Sequence, residues 1–103
     1  MKQLIDQIRS TVAFCGFEVE SIASHKSYVS FDLKSKSRFR KKNYLMAVSK
    51  SLNGLLTAER ELSRNSRNQK IIILDPVNNL LKPTLGNVEL FHDLDQLQGF
   101  LSK

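Results

Sequence analysis

Residues Lys34 to Lys42 read K-S-K-S-R-F-R-K-K, six cations in nine positions with no acid among them. The alternating segment Y-V-S-F-D-L precedes them, from Tyr28 to Leu33, and a long apolar-rich stretch follows, as far as about Arg64. How this run joins its neighbours decides the fold. Before it the period is two: Val29, Phe31 and Leu33 face one way, and Tyr28, Ser30, Asp32 and Lys34 the other, as on a strand. After it the spacing reads as helical from about Arg40 to Arg64. Leu45, Val48, Leu52, Leu55, Leu56 and Leu62 fall within one third of a helical wheel. Asn43 is then the candidate N-cap, with Ser37 as alternative. Gly54 predicts a kink or break in this helix, and Glu59, in the middle of the apolar arc, is expected in solvent beyond the sheet.

Upstream, Leu4, Ile5, Ile8 and Val12 recur at helical spacing, with Cys15 on the same side as a small buried hydrophobe and Gly16 as the C′ residue. Phe17–Ala23 and Ser27 to about Ser37 read as an antiparallel pair. Opposed residues share a face, so Val19 must meet an odd-numbered partner. Opposing it to Leu33 sets Glu18 against Lys34, whereas opposing it to Phe31 sets Glu18 against Asp32. The first register follows, with a three-residue loop at His25–Ser27. Downstream, Ile71–Leu74 is an apolar run rich in β-branched residues, expected as a central strand covered on both faces. Turn formers with Leu80, Leu81 and Leu85 fill Val77–Asn87, Val88–Phe91 makes a last short strand, and Asp93 caps a helix whose Leu94, Leu97 and Leu101 face inward. The expectation is a single α+β domain over residues 1–103, in the order α-β-β-α-β-β-α, with a mainly antiparallel sheet and helices on one face.

Composition narrows the function classes. A single cysteine excludes an intrachain disulfide and fits a reducing compartment. The N-terminus is periodic rather than a signal peptide, and no apolar run reaches membrane-spanning length, so a cytoplasmic protein is expected. The net charge of +6 is uneven. Residues 26–70 hold twelve basic and three acidic side chains, while the segments before and after are each slightly acidic. Such asymmetry calls for an anionic partner.

Nucleic acid is the expected partner, DNA or RNA, through Lys34, Lys36, Arg38, Arg40, Lys41 and Lys42, with Arg64 and Arg67 extending the footprint. Lys34, Lys36 and Arg38 on one strand would lie roughly 7 Å apart, comparable with phosphate spacing. Arg40, Lys41 and Lys42 would crowd a helix N-terminus, where cations are disfavoured unless an outside anion sits there. Tyr28 and Phe39 are the aromatics near enough to stack on bases. The alternative is a regulatory module whose basic row docks on an acidic protein surface, or a homodimer through an exposed sheet edge. An anionic membrane surface is disfavoured, because the following helix has no spare apolar face. His25 and His92 lack ligand-spaced partners, the serines lack a nucleophile motif, and the glycines form no phosphate loop, so neither cofactor nor catalysis is expected.

One sharper motif stands apart. Asp32-Leu33-Lys34 is a D-x-K triplet on a strand, preceded by a helix and followed by a helix and an apolar strand. Over about Met1 to Leu74 this resembles part of the PD-(D/E)xK nuclease core. The resemblance implies two carboxylates holding a divalent metal and a lysine that helps activate water: Asp32, Lys34 and, across from Asp32 in the register above, Glu20.

Overall fold

The computed structural model describes residues 2–37, 42–65, 69–77 and 88–102. The chain runs α1 (Lys2–Phe14), β1 (Phe17–Ser24), β2 (Val29–Ser35), β3 (Asn43–Val48), α2 (Leu52–Asn65), β4 (Lys70–Leu74), β5 (Val88–Phe91) and α3 (Leu94–Leu101). It is an α+β fold around one five-stranded sheet ordered β1-β2-β3-β4-β5. Residues 78–87, expected as turns, lie outside the described residues.

The expected helix over Arg40–Arg64 is corrected. Asn43–Val48 is a strand, antiparallel to β2 (Leu33 opposite Tyr44, Phe31 opposite Met46) and parallel to β4 (Met46 opposite Ile72). The sheet is therefore mixed: β1-β2-β3 is antiparallel and β3-β4-β5 parallel. The misleading signal has a physical origin. Both faces of β3 are buried, so its residues form an unbroken apolar run without a two-residue period, and Leu45 and Val48 fall at helical spacing by coincidence. The helix proper begins nine residues later than Asn43. Its cap is Ser51, whose Oγ accepts the Gly54 N–H at 3.0 Å, and not Asn43 or Ser37.

The helices cover both faces rather than one. Ile8 and Val12 of α1 and Leu97 and Leu101 of α3 pack with Phe31, Leu33, Met46, Val48, Ile72 and Leu74. Leu55, Ala58 and Leu62 of α2 pack on the opposite face with Ala47, Ile71, Ile73 and Val88. β4 shows the consequence: Ile71 to Leu74 are all at most 1% exposed, alternating between the two cores. Each such side chain contributes about 1.5–3 kcal/mol on leaving water, so this strand is a central support for both layers, as its composition indicates. Glu59 on α2 is buried at 3% exposure, not solvated, because the shorter helix stays over the sheet.

The ends of the elements follow local chemistry. Gly16 has φ +85°, the left-handed C′ position after α1. Asp93 caps α3, its Oδ1 accepting the Gln96 N–H at 2.8 Å, while Gln96 Oε1 accepts the His92 N–H at 2.7 Å. The β1–β2 register is the expected one at its start, with Val19 opposite Leu33 and Glu18 opposite Lys34. A bulge between Val19 and Ser21 then shifts the pairing by one, so that Ser21, not Glu20, faces Asp32. The loop becomes His25–Tyr28, four residues instead of three, closed by His25 N–H donating to the Tyr28 carbonyl at 2.8 Å.

α2 runs unbroken through Gly54, which lets the helix approach its neighbours. A Cβ at this position would sit 2.2 Å from the Ser27 carbonyl oxygen and 2.2 Å from Ser49 Oγ. Gly54→Ala is therefore expected to destabilise the protein by about 1–3 kcal/mol through overpacking. Gly99, in α3 with open space around it, is expected to respond in the opposite sense, Gly99→Ala adding about 0.5–1 kcal/mol. Urea melts of the two variants check the pair, and similar responses would refute the close approach at Gly54.

Candidate functional site

Lys34, Lys36 and Lys42 stand where β2 and β3 are joined. Ser35 N–H donates to the Lys42 carbonyl at 3.0 Å, and Lys36 N–H donates to the Gly16 carbonyl at 2.9 Å. Lys34 lies between Glu18 on β1 and Asn43 on β3. Lys34, Lys36 and Lys42 are exposed. Among the described residues, no carboxylate lies within ion-pair distance of these three amino groups. Arg38, Arg40 and Lys41, with Phe39, lie outside the described residues.

Two parts of the expected geometry change. β2 ends at Ser35, so of the described run only Lys34 is strand-borne and Lys36 lies beyond the strand. The conflict between cations and a helix N-terminus also falls away, because Lys42 leads into a strand. The clustering is instead a property of the fold. The sheet directions bring the starts of β1, β3, β4 and β5 to one end of the molecule, and α2 runs back from the far end. Arg64, exposed in the last turn of α2, and Lys70, the first residue of β4, thus reach the end that carries the hairpin. At a helix C-terminus a cation is favoured by the backbone dipole. Arg67 lies outside the described residues.

Beside the hairpin is a cleft of about 440 Å³, lined among others by Gly16, Phe17, Lys36, Lys42, Tyr44 and Phe100. Its rings form a connected set. Phe17 and Tyr44 have centroids 5.6 Å apart, Tyr44 and Phe100 5.6 Å in an edge-to-face arrangement, and Phe100 and Phe91 5.3 Å. Lys70 Nζ lies 5.6 Å from the Phe100 centroid and 3.1 Å from Glu89 Oε1. Cys15 lines the same cleft, its Sγ 3.5 Å from Ser102 Oγ and 3.7 Å from the Gln98 carbonyl oxygen. Phe14, just before it, is 76% exposed.

Sequence reasoning missed Tyr44, Phe100 and Lys70. Reading Asn43–Val48 as a strand bounded by Asn43 and Ser49 would have revealed Tyr44, which shares a face with Met46 and Val48. Phe100 joins the site through the packing of α3 on the sheet, against Tyr44 and Phe91, for which the sequence has no local signal.

Tyr28, expected to stack on bases, is corrected. It is 4% exposed, its ring stacks on His25 with centroids 4.2 Å apart, and its hydroxyl donates a short hydrogen bond to Glu61 Oε2. No ring face is left for a base. The D-x-K reading changes as well. Asp32 and Lys34 do share a face, and β3 adds a third strand before α2. Glu20, however, sits in the bulge, and Asp32 Oδ2 accepts a 2.5 Å hydrogen bond from Ser21 Oγ. The second carboxylate is not delivered across from Asp32. Among the described residues, no three His, Cys, Asp or Glu side chains converge in a way that could hold a metal ion.

No helix among the described residues is long and apolar enough to cross a membrane. No protein-family model, no curated protein and no solved structure matches the chain.

Burial, then the hydrogen bond to Glu61 and its negative charge, push the Tyr28 phenol up to about 12. Its ordinary value is about 10, so the folded state holds this proton more tightly than the unfolded chain. The associated stability is complete below pH ~10 and is lost as pH rises from ~10 towards ~12. Comparing urea stability of the wild type and Tyr28→Phe across that window tests this. The wild type is expected to fall more steeply, and parallel curves would refute it. Glu61→Gln is expected to bring the Tyr28 titration, followed by ultraviolet absorbance, back towards its ordinary range.

Proposed function

We propose that this protein binds nucleic acid through the basic end of the molecule, with the hairpin lysines contacting phosphates. One observation carries the reading: Lys34, Lys36 and Lys42 stand exposed on a hairpin anchored by backbone hydrogen bonds, without ion-pair carboxylates among the described residues. Arg64 at the same end broadens the positive surface, whereas Lys70 there is paired with Glu89. Cations held this way gain most of their binding free energy by releasing counterions from a polyanion. Because the contacts are to phosphates, such binding is largely indifferent to base sequence. No catalytic step is part of this reading. A cytoplasmic setting fits the single unpaired cysteine.

The test is a salt series of gel shifts with DNA and RNA. Log K is expected to fall linearly with log salt. The triple variant Lys34→Gln, Lys36→Gln, Lys42→Gln is expected to reduce the slope by about 2 on single strands and about 3 on duplex, with the fold unchanged by circular dichroism. A wild-type slope near zero, or an unchanged slope in the variant, would remove the electrostatic mechanism. A pull-down returning one stoichiometric protein that survives nuclease treatment would move the assignment to an acidic protein partner. For the D-x-K pair, Mg²⁺-dependent nicking abolished by Asp32→Ala would instead support a nuclease.

A further inference from the structure

We infer that the aromatic cleft beside the hairpin receives an unpaired nucleobase, so that the basic end is a single-strand site rather than a duplex site. This rests on the nucleic-acid reading above and specifies its substrate. A surface made only of lysines does not distinguish one strand from two. This one joins lysines to rings. Lys36 and Lys42, two of the three exposed hairpin cations, line the same cleft as Tyr44 and Phe100. Tyr44 and Phe100 are only partly buried, so some of their surface is available to a ligand.

The volume of about 440 Å³ lies within the range of clefts that enclose small organic ligands, and a base with its sugar is of that class. A planar base gains from aromatic stacking regardless of its identity, while its flanking phosphates lie towards the lysines at the rim. In a duplex the bases already stack and pair, and their ring faces are not offered to a protein. A free acidic peptide would satisfy the lysines but not the rings. Both halves of the site suit a single strand.

Cys15 is the only cysteine in the chain and lines the cleft, so its alkylation reports on cleft occupancy in the unaltered protein. Maleimide labelling, read by mass spectrometry, is run at low salt beside a gel shift for each ligand: an oligodeoxythymidine strand, an abasic strand of the same length, and a duplex. With the oligodeoxythymidine at about ten times its Kd, labelling of Cys15 is expected to slow about tenfold. The abasic strand and the duplex, each bound as judged by gel shift, are expected to leave the rate unchanged.

If oligodeoxythymidine binds with the expected salt dependence but Cys15 labels at the free rate, the cleft assignment is overturned and the phosphate-binding reading stands. Equal protection by the abasic strand overturns it too, since phosphates alone would then account for the shielding. If no ligand shifts, both readings fall. As a second measurement, Phe100→Leu is expected to weaken single-strand binding roughly tenfold while leaving duplex affinity unchanged; an equal loss on both would count against the cleft.

Discussion

β3 has to bury both of its faces. Tyr44, Met46 and Val48 turn towards α1 and α3, and Leu45 and Ala47 towards α2. The strand also bonds on both edges, antiparallel to β2 and parallel to β4. A strand in that position pairs its backbone on both edges and is fully buried over Met46–Val48, which is the least costly way to sink a polar main chain into an apolar interior. Everything else is arranged around it. The antiparallel edge requires a short reversal from β2, and the parallel edge requires a crossover long enough to hold a helix. The first requirement produces the hairpin and the second produces α2.

These two connections explain where the charge goes. Lys36 follows β2 and Lys42 precedes β3, so both stand where the two strands are joined, and both are exposed. A crossover helix must end where the next parallel strand begins, so Arg64 is delivered to the level of Lys70. The uneven charge along the sequence thus becomes an uneven charge in space. Cations on a flexible tail would lose rotational freedom on binding each phosphate. Those beside the Ser35–Lys42 and Lys36–Gly16 hydrogen bonds start from a backbone already held in place.

Much of this was legible from residues alone, for reasons that differ by element. Ile71–Leu74 declares itself by β-branched content between polar stops, and α3 by Asp93 and its leucines. The Val19–Leu33 register follows from setting Glu18 against Lys34 rather than Asp32. Information failed where it is not local. β3 lacks alternation because both sides are buried, and Leu45, Val48 and Leu52 then mimic a helix. The bulge at Glu20 leaves no mark in composition, yet it exchanges Glu20 for Ser21 opposite Asp32 and so removes the carboxylate pair that the D-x-K motif seemed to promise. Tyr28 looked like a solvent-facing member of an alternating strand. It is buried because α2 lies on that face, which the reading of helices on one side did not allow.

The same reasoning separates the two roles of the aromatic residues. Phe31 and Phe17 are at most 5% exposed and serve the core, whereas Phe14, Tyr44 and Phe100 keep surface that the chain does not cover for itself. Burying an aromatic ring fully is favourable by several times the thermal energy, so the two incompletely covered rings of Tyr44 and Phe100 in one cleft, beside hairpin lysines, run against what stability alone would select. A core lets its large apolar groups meet each other. A binding surface leaves them short of partners and surrounds them with groups that a ligand must satisfy as well. On the reading proposed above, the corner where β1, β3, α1 and α3 meet is of the second kind. There the half-buried Tyr44 and Phe100 lie beside the exposed Lys36 and Lys42.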